Sequence, residues 1–264
     1  MTVQPATAST PRNNSSSLRR ALAILLQLGE DRSGDGYSLA ELGELLQLNK
    51  STILRLMQPM IEEHFIEVAD TQGHYRLSWR SAQLGQSYLN AVSIDRDMHD
   101  VLVRLSRASQ ETTHLVRAAL PRVVYIDKVD SPLAVRMFSR VGNTQPMYST
   151  SVGKAILAQL DEAALRTVVE AGMPRRTPRT ITDEAALRHD LALTRERGWA
   201  IDDVENEDGI RCVAAPVFDQ HGQCAHAISL SGPVSRVTSE RVPELAALVI
   251  ASANEISRRL GARR

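Results

Sequence analysis

Apolar positions recur at helical spacing in three successive stretches near the start of the chain and then give way to alternation. Leu18, Ala21, Leu22, Leu25, Leu26 and Leu28 share one face, with Arg19, Arg20 and Gln27 largely opposite, and predict a first helix. A polar, glycine-containing stretch over 30–36 ends it. Ser38 with Glu41 three residues on forms a capping box, so a second helix should run to about Leu46 on a stripe of Leu39, Leu42 and Leu45. Gln47, Leu48 and Asn49 leave room only for a tight turn, and Asn49 is a suitable N-cap for a third helix. In that helix Ile53, Leu56, Met57, Met60 and Ile61 line one side while Ser51, Arg55 and Gln58 face away. Pro59 predicts a kink or an early end, since an interior proline costs a helix roughly 3 kcal/mol. Phe65, Ile66 and Val68, a turn over Asp70 to Gly73, and Tyr75, Arg76 and Leu77 predict a short hairpin. Three helices closed by a hairpin make a winged helix-turn-helix.

An interrupted helical rhythm from Trp79 to about Leu105, carried by Leu84, Tyr88, Ala91, Val101 and Leu102, predicts a connector of one or two helices. Beyond it, strands are predicted over 113–119, 123–128, 134–139, 212–218 and 225–231, and helices over 153–160, 162–171, 184–198 and 239–260. Such mixing gives an α+β fold: an N-terminal winged helix-turn-helix, a linker helix and a C-terminal mixed α/β domain. The expected divisions are a disordered leader at 1–17, rich in Ser, Thr, Asn and Pro, the winged helix at 18–80, the linker helix at 81–97 and the second domain at 98–264.

Composition narrows the function classes. With 264 residues, 43% of them apolar, the chain reads as a soluble globular protein of one or two domains. Apolar runs stay at a few residues, as in 21–26, against the roughly 20 that a membrane helix needs. The leader lacks the apolar stretch of a signal peptide. Cys212 and Cys224 form neither a CxxC pair nor a zinc-ligand pattern, so reduced thiols of a cytoplasmic protein without metal or cofactor are expected.

The 31 cationic side chains balance 31 acidic ones, which removes bulk charge as an argument for a nucleic-acid partner. Local pattern restores it. The stretch 48–61 carries two cations and no acid. Asn49, Lys50, Ser51, Thr52 and Arg55 cluster at the start of the third helix and supply the amide, hydroxyl and cationic groups that base edges and phosphates require. Ser38 before the second helix, His74 and Arg76 on the hairpin, and Arg19 and Arg20 on the first helix complete the candidate DNA-facing set. For the two arginines a solvated helix face is an equal reading, and a winged helix kept only for protein contacts is the alternative for the module.

These residues carry a family resemblance. The chain resembles IclR-type transcriptional regulators from Leu18 to Gly261. Leu48-Asn49-Lys50-Ser51-Thr52-Ile53-Leu54-Arg55-Leu56 is similar to the family's recognition helix, and Tyr75-Arg76-Leu77 to its wing strand. Thr150 with Gly153-Lys154-Ala155, the run from Gly209 to Val217, and Ile228-Ser229-Leu230-Ser231-Gly232-Pro233 are similar to its effector-domain signatures. Asp127-Lys128-Val129-Asp130-Ser131, Ser139-Arg140-Val141-Gly142 and Tyr148-Ser149-Thr150 most resemble the branch that senses the sugar acid 2-keto-3-deoxygluconate. Asn49 stands where the family usually has proline, and Ser151 where it often has alanine.

The resemblance implies a GAF-like effector domain, a palindromic double-stranded DNA operator, a homodimer or dimer of dimers, and repression of a catabolic operon under a small organic acid such as a sugar acid or keto acid. It also implies effector contacts at Asp202, Cys212, Ser229 and Ser231. The residues themselves add that Ser229 and Ser231, two apart on a strand, share a face. The N–H groups of Ser151, Val152 and Gly153 should point out of a helix N-terminus, an arrangement that suits a carboxylate. The competing structural readings are ordinary strand serines, a small buried hydrophobe at Cys212 and a turn cap at Asp202.

Catalytic templates fit poorly. Ala155 replaces the hydroxyl residue of a P-loop, and neither GxSxG nor HExxH occurs. His114 and His226 are expected to be hydrogen-bonded structural residues, and the acidic run 202–208 a solvated loop without EF-hand spacing. An alternative from another class is a redox enzyme using Cys212 or Cys224, with the winged helix as a dimerisation module. It requires an accessible thiol of low pKa.

Overall fold

A computed structural model describes residues 15–31, 33–69, 73–92, 98–137 and 139–262, and its first helix opens on Ser15, whose hydroxyl accepts the Leu18 N–H at 3.4 Å. This cap sets α1 at Ser16–Gly29, so helix replaces leader at residues 16 and 17. The rest of the leader, 1–14, lies outside the described residues. The buried face of α1 is also not the full predicted stripe. Ile24 and Leu28, one turn apart, enter the core, while Leu18, Leu22 and Leu26 are 57%, 50% and 73% exposed. The apolar arc of α1 is wider than one packing interface can cover.

Ser38 and Glu41 form the predicted capping box at the head of α2 (Leu39–Leu46). Leu42 is buried, but Leu45 is exposed and Leu46 packs on the core in its place. Gln47 turns the chain through a left-handed conformation, φ 54°, and its N–H donates to the Gly43 carbonyl. Then α3 runs over Lys50–Glu62 and passes through Pro59 without the expected early end. Pro59 lies in the last turn and forgoes its own backbone bond, and Glu63 N–H donates to the Pro59 carbonyl at 3.0 Å to close the helix. The core of this unit gathers Ile24, Leu28, Leu42, Ile53, Met57 and Ile66. Strands β1 (Ile66–Val68) and β2 (Tyr75–Leu77) pair antiparallel, Ile66 opposite Leu77, as the wing; residues 70–72 of its turn lie outside the described residues. Next, α4 spans Trp79–Val92, starting two residues before the expected linker helix, whose end at 93–97 falls outside the described residues. The chain divides into two compact units between Ala91 and Val92.

The second unit is one antiparallel sheet of six strands between two helical layers. After α5 (His99–Ser109) come β3 (Thr112–Ala119), β4 (Arg122–Val129) and β5 (Thr144–Pro146), then α6 (Ser151–Leu157), α7 (Glu162–Glu170) and α8 (Glu184–Arg197). The chain ends with β6 (Ala200–Asp203), β7 (Ile210–Val217), β8 (His226–Pro233) and α9 (Val242–Arg259). The sheet order is β5-β4-β3-β8-β7-β6. One face buries Leu115, Val213, Ile228 and Leu230 under α5 and α9; the other buries Val116, Val123, Ala214 and Ala227 under α6, α7 and α8. Gly198 ends α8 at φ 80°, where its N–H donates to the Thr194 carbonyl. The predicted strand at 134–139 does not form: over the described residues the segment is irregular, Ser131 Oγ accepting the Leu133 N–H at 3.2 Å and Val135 lying exposed without a strand neighbour.

Candidate functional site

At the start of α3, Asn49 Oδ1 accepts the Thr52 N–H at 2.8 Å and the Ser51 hydroxyl at 3.0 Å. The cap therefore occupies Asn49 and Ser51 with each other and fixes how the helix presents Lys50 and Arg55, both exposed and without an ion pair among the described residues. Thr52 is half-buried. The outward face up to Gln58 carries no acid until Gln58 Nε2 donates to Glu62 Oε1 at 2.9 Å. The remaining candidates lie apart from this cluster. Ser38 is taken up by its capping box with Glu41, and His74 Nε2 stands 4.0 Å from the same carboxylate. Arg76 donates to Glu67 Oε1 at 2.8 Å on the wing, and the Glu67 carboxyl is held below the usual range by the Ser78 hydroxyl and by Arg76. Arg19 and Arg20 are exposed on α1.

In the second unit the strand register assembles the other cluster. Asp202 on β6 lies opposite Cys212 on β7, Cys212 opposite Ser231 on β8, and Ser231 opposite Thr112 on β3, one polar row across four strands. Two residues along, Ala214, Ser229, His114 and Lys128 form a parallel row. Because side chains alternate along a strand and directly opposed residues share a face, both rows lie on the side covered by α6. Asp202, Cys212, Ser229, Ser231, Thr112 and His114 are all buried.

Each member has an identifiable environment. Asp202 Oδ1 accepts the N–H groups of Glu205 at 2.7 Å and Asn206 at 3.2 Å, so it caps the β6–β7 turn while facing Cys212. Burial lifts its pKa to about 7, against the opposing pull of those N–H donors and of Lys154. Burial, reinforced by Asp202, pushes the Cys212 thiol up, and Ser231 is its other polar neighbour. His114 Nε2 is 2.7 Å from Ser139 Oγ, and its Nδ1 is 3.5 Å from Ser229 Oγ. Burial, with Lys128 nearby, lowers its pKa to about 3 and keeps the ring neutral.

The head of α6 differs from expectation at Gly153, whose N–H donates to Thr150 Oγ1 at 3.2 Å. The threonine cap consumes that group and leaves Ser151 and Val152 to supply the first-turn N–H groups. Gly153 is needed there because a Cβ would lie 2.3 Å from the Met147 Cα. The acidic run is a second correction. Glu205 and Asn206 are buried, not solvated, because Lys154, itself fully buried, needs anionic partners: its Nζ donates to Glu205 Oε1 at 2.5 Å and lies 2.9 Å from Asp190 Oδ2. Ser149 Oγ donates to Asn206 Oδ1 at 3.0 Å and ties the loop before α6 to the turn that Asp202 caps. Sequence reasoning missed Thr112, Lys154 and Asn206 here; the predicted strand over 113–119 put His114 on a strand, and only the β3–β8 pairing sets Thr112 and His114 beside the serines.

His226 is a third departure. Its Nε2 is buried with no hydrogen-bond partner among the described residues, and burial lowers its pKa to about 4. Both thiols are buried as well, Cys224 being pushed up to about 12, which is the reverse of the accessible low-pKa cysteine that the redox alternative requires. Among the described residues no helix is long and apolar enough to cross a membrane.

Residues 17–70 match the IclR helix-turn-helix domain, and residues 86–258 match the domain described as "Bacterial transcriptional regulator IclR C-terminal". The chain is 35% identical to the HTH-type transcriptional regulator KdgR of Escherichia coli over 93% of both chains. It is 34% identical to the transcriptional repressor IclR of the same organism, over 99% of this chain and 96% of that one. Among solved structures, the IclR protein of Thermotoga maritima superimposes with a TM-score of 0.74 at 33% identity, covering 93% of this chain and 98% of that one.

Proposed function

The chain belongs to the IclR family of bacterial transcriptional regulators, and from that premise we propose that it represses a catabolic operon from a palindromic operator, as a cytoplasmic homodimer or dimer of dimers controlled by a sugar acid or a related small organic acid. In this reading residues 18–80 bind DNA and residues 98–264 hold the effector. The observation that carries it is the capped, acid-free outward face of α3, where Lys50 and Arg55 stand free beside Ser51. A two-fold axis places two such helices in successive major grooves, with Arg19, Arg20, His74 and Arg76 directed at flanking phosphates.

Dimerisation is supported by the exposed row Leu18, Leu22 and Leu26 on α1 and by exposed Trp79, Leu84 and Tyr88 on α4. Effector binding is supported by the buried row Asp202, Cys212 and Ser231, with Ser229 beside it and the Ser151 and Val152 N–H groups as donors for a carboxylate. An acid that prefers one arrangement of the dimer shifts DNA affinity by a coupling of typically 1–3 kcal/mol. Selection from a random duplex pool tests the DNA half. Enrichment of an inverted repeat with half-sites about 34–36 Å apart, one helical turn, is expected; a pool without any enriched motif overturns it.

A further inference from the structure

The second polar row contains a residue to which the regulator reading gives no task. His114 is fully buried on the face that carries Ser229 and Ser231, and its ring lies 4.7 Å, centroid to centroid, from Tyr125. A neutral imidazole has one donor and one acceptor nitrogen. On one side Nε2 makes a full-strength bond to Ser139 Oγ at 2.7 Å, and Ser139 is itself anchored because Lys128 Nζ donates to its carbonyl at 2.7 Å and pairs with Asp130 at 2.8 Å. On the other side Nδ1 faces Ser229 Oγ at 3.5 Å, longer than the 2.5–3.2 Å of ordinary hydrogen bonds. The ring is held firmly by Ser139 and loosely by Ser229.

Whichever tautomer the Ser139 bond selects, the pair Nδ1 and Ser229 Oγ offers a donor and an acceptor together. A hydroxyl group matches both roles, whereas a carboxylate or a keto oxygen only accepts. Position adds a length. From Asp202 on β6 to His114 on β3 there are three strand spacings and two residues along the strand, roughly 16 Å on a flat sheet. An acid of two or three carbons held near Asp202 and Cys212 ends short of His114, while a longer one with hydroxyls along its chain passes Ser231 and Ser229 and reaches it.

We propose that His114 is the specificity-determining residue of the effector pocket: its Nδ1, with Ser229 Oγ, takes a hydroxyl near the distal end of a polyhydroxylated acid of five or six carbons. This rests on the effector reading above and narrows its ligand class, excluding short keto acids and acids without distal hydroxyls. A site built to bond a hydroxyl discriminates strongly against the analogue lacking it, because the buried partners are then left unpaired.

Calorimetry and thermal shift on the full chain test this with D-gluconate, D-galactonate, 2-keto-D-gluconate and their distal-deoxy analogues against pyruvate, glyoxylate and adipate. At least one polyhydroxy acid should bind, its distal-deoxy analogue at least tenfold more weakly, and the short acids and adipate not measurably. His114→Phe should abolish that binding, His114→Gln should retain part of it, and Ser139→Ala, which removes only the anchor, should weaken it about five- to tenfold. A variant is scored only where it melts cooperatively without acid, and the deoxy comparison on the unaltered chain needs no variant. Equal affinity for a polyhydroxy acid and its deoxy analogue, tighter binding of a short acid or adipate, or an unchanged Kd in both His114→Gln and Ser139→Ala overturns the role of His114. Absence of binding by every acid overturns the effector reading on which it stands.

Discussion

At Asp202 one buried carboxylate both caps the β6–β7 turn and faces the polar row. Its folded pKa of about 7 against an ordinary 3.8 fixes a sign. Below about pH 3.8 both states hold the proton and Asp202 adds no pH dependence. Between there and about 7 the unfolded chain loses its proton first, so stability falls as pH rises, and the penalty is complete above 7. Both backbone bonds go to Oδ1, which an asparagine carbonyl reproduces. Asp202→Asn should therefore stabilise the second unit by on the order of a few kcal/mol at pH 8. The advantage should shrink steadily toward pH 4, read as the melting-temperature difference between the two proteins; a gap independent of pH contradicts the burial of an ionised carboxylate. Asp202, Cys212, Ser229 and Ser231 were legible as candidates from motif position and strand alternation. The turn-capping role kept as the alternative for Asp202 is present. The burial of Lys154 was not legible, since its acids, Asp190 and Glu205, are 36 and 51 residues away and meet it only through the fold.

At the scale of elements, α1 shows what periodicity leaves open. Helical spacing located it, but its apolar arc spans two faces, and only packing against Leu42, Ile53 and Met57 selects Ile24 and Leu28 for the core. The face left over, Leu18, Leu22 and Leu26, is an i, i+4, i+8 row suited to a second copy of the chain. Leu22→Glu combined with Leu26→Glu should halve the mass seen by light scattering while the cooperative melt of the protein persists; an unchanged mass contradicts a dimer built on this row. The early end at Pro59 and the strand at 134–139 were two expectations that the structure does not show. Pro59 forfeits one backbone bond wherever it sits beyond the first turn, and the packing of α3 through Ile53 and Met57 carries the helix past it, while an alternating apolar segment becomes a strand only when an edge is available to pair with it. Conversely β5 and β6, of three and four residues at the two sheet edges, are too short to show a period at all.

Across the whole molecule, the class of fold and the winged helix were legible because each is assembled from neighbours in sequence: caps at Ser38 and Asn49, helices with one clear stripe, a hairpin. The order β5-β4-β3-β8-β7-β6 was not, because it sets β3 against β8, over a hundred residues apart, and no local pattern records that pairing. The same long-range pairing brings Thr112 and His114 to Ser231 and Ser229, so the part of the site that was missed is the part that topology alone creates. With zero net charge the chain offers no bulk basic surface, so the DNA-binding proposal rests on the acid-free face of α3. The most direct measurement is fluorescence anisotropy of the selected duplex, titrated with the protein with and without the acid that raises its melting temperature. The account predicts sequence-selective binding whose Kd moves five- to 150-fold when the acid is present, the range of a 1–3 kcal/mol coupling. Binding indifferent to sequence, or a Kd untouched by an acid that the protein holds, contradicts it.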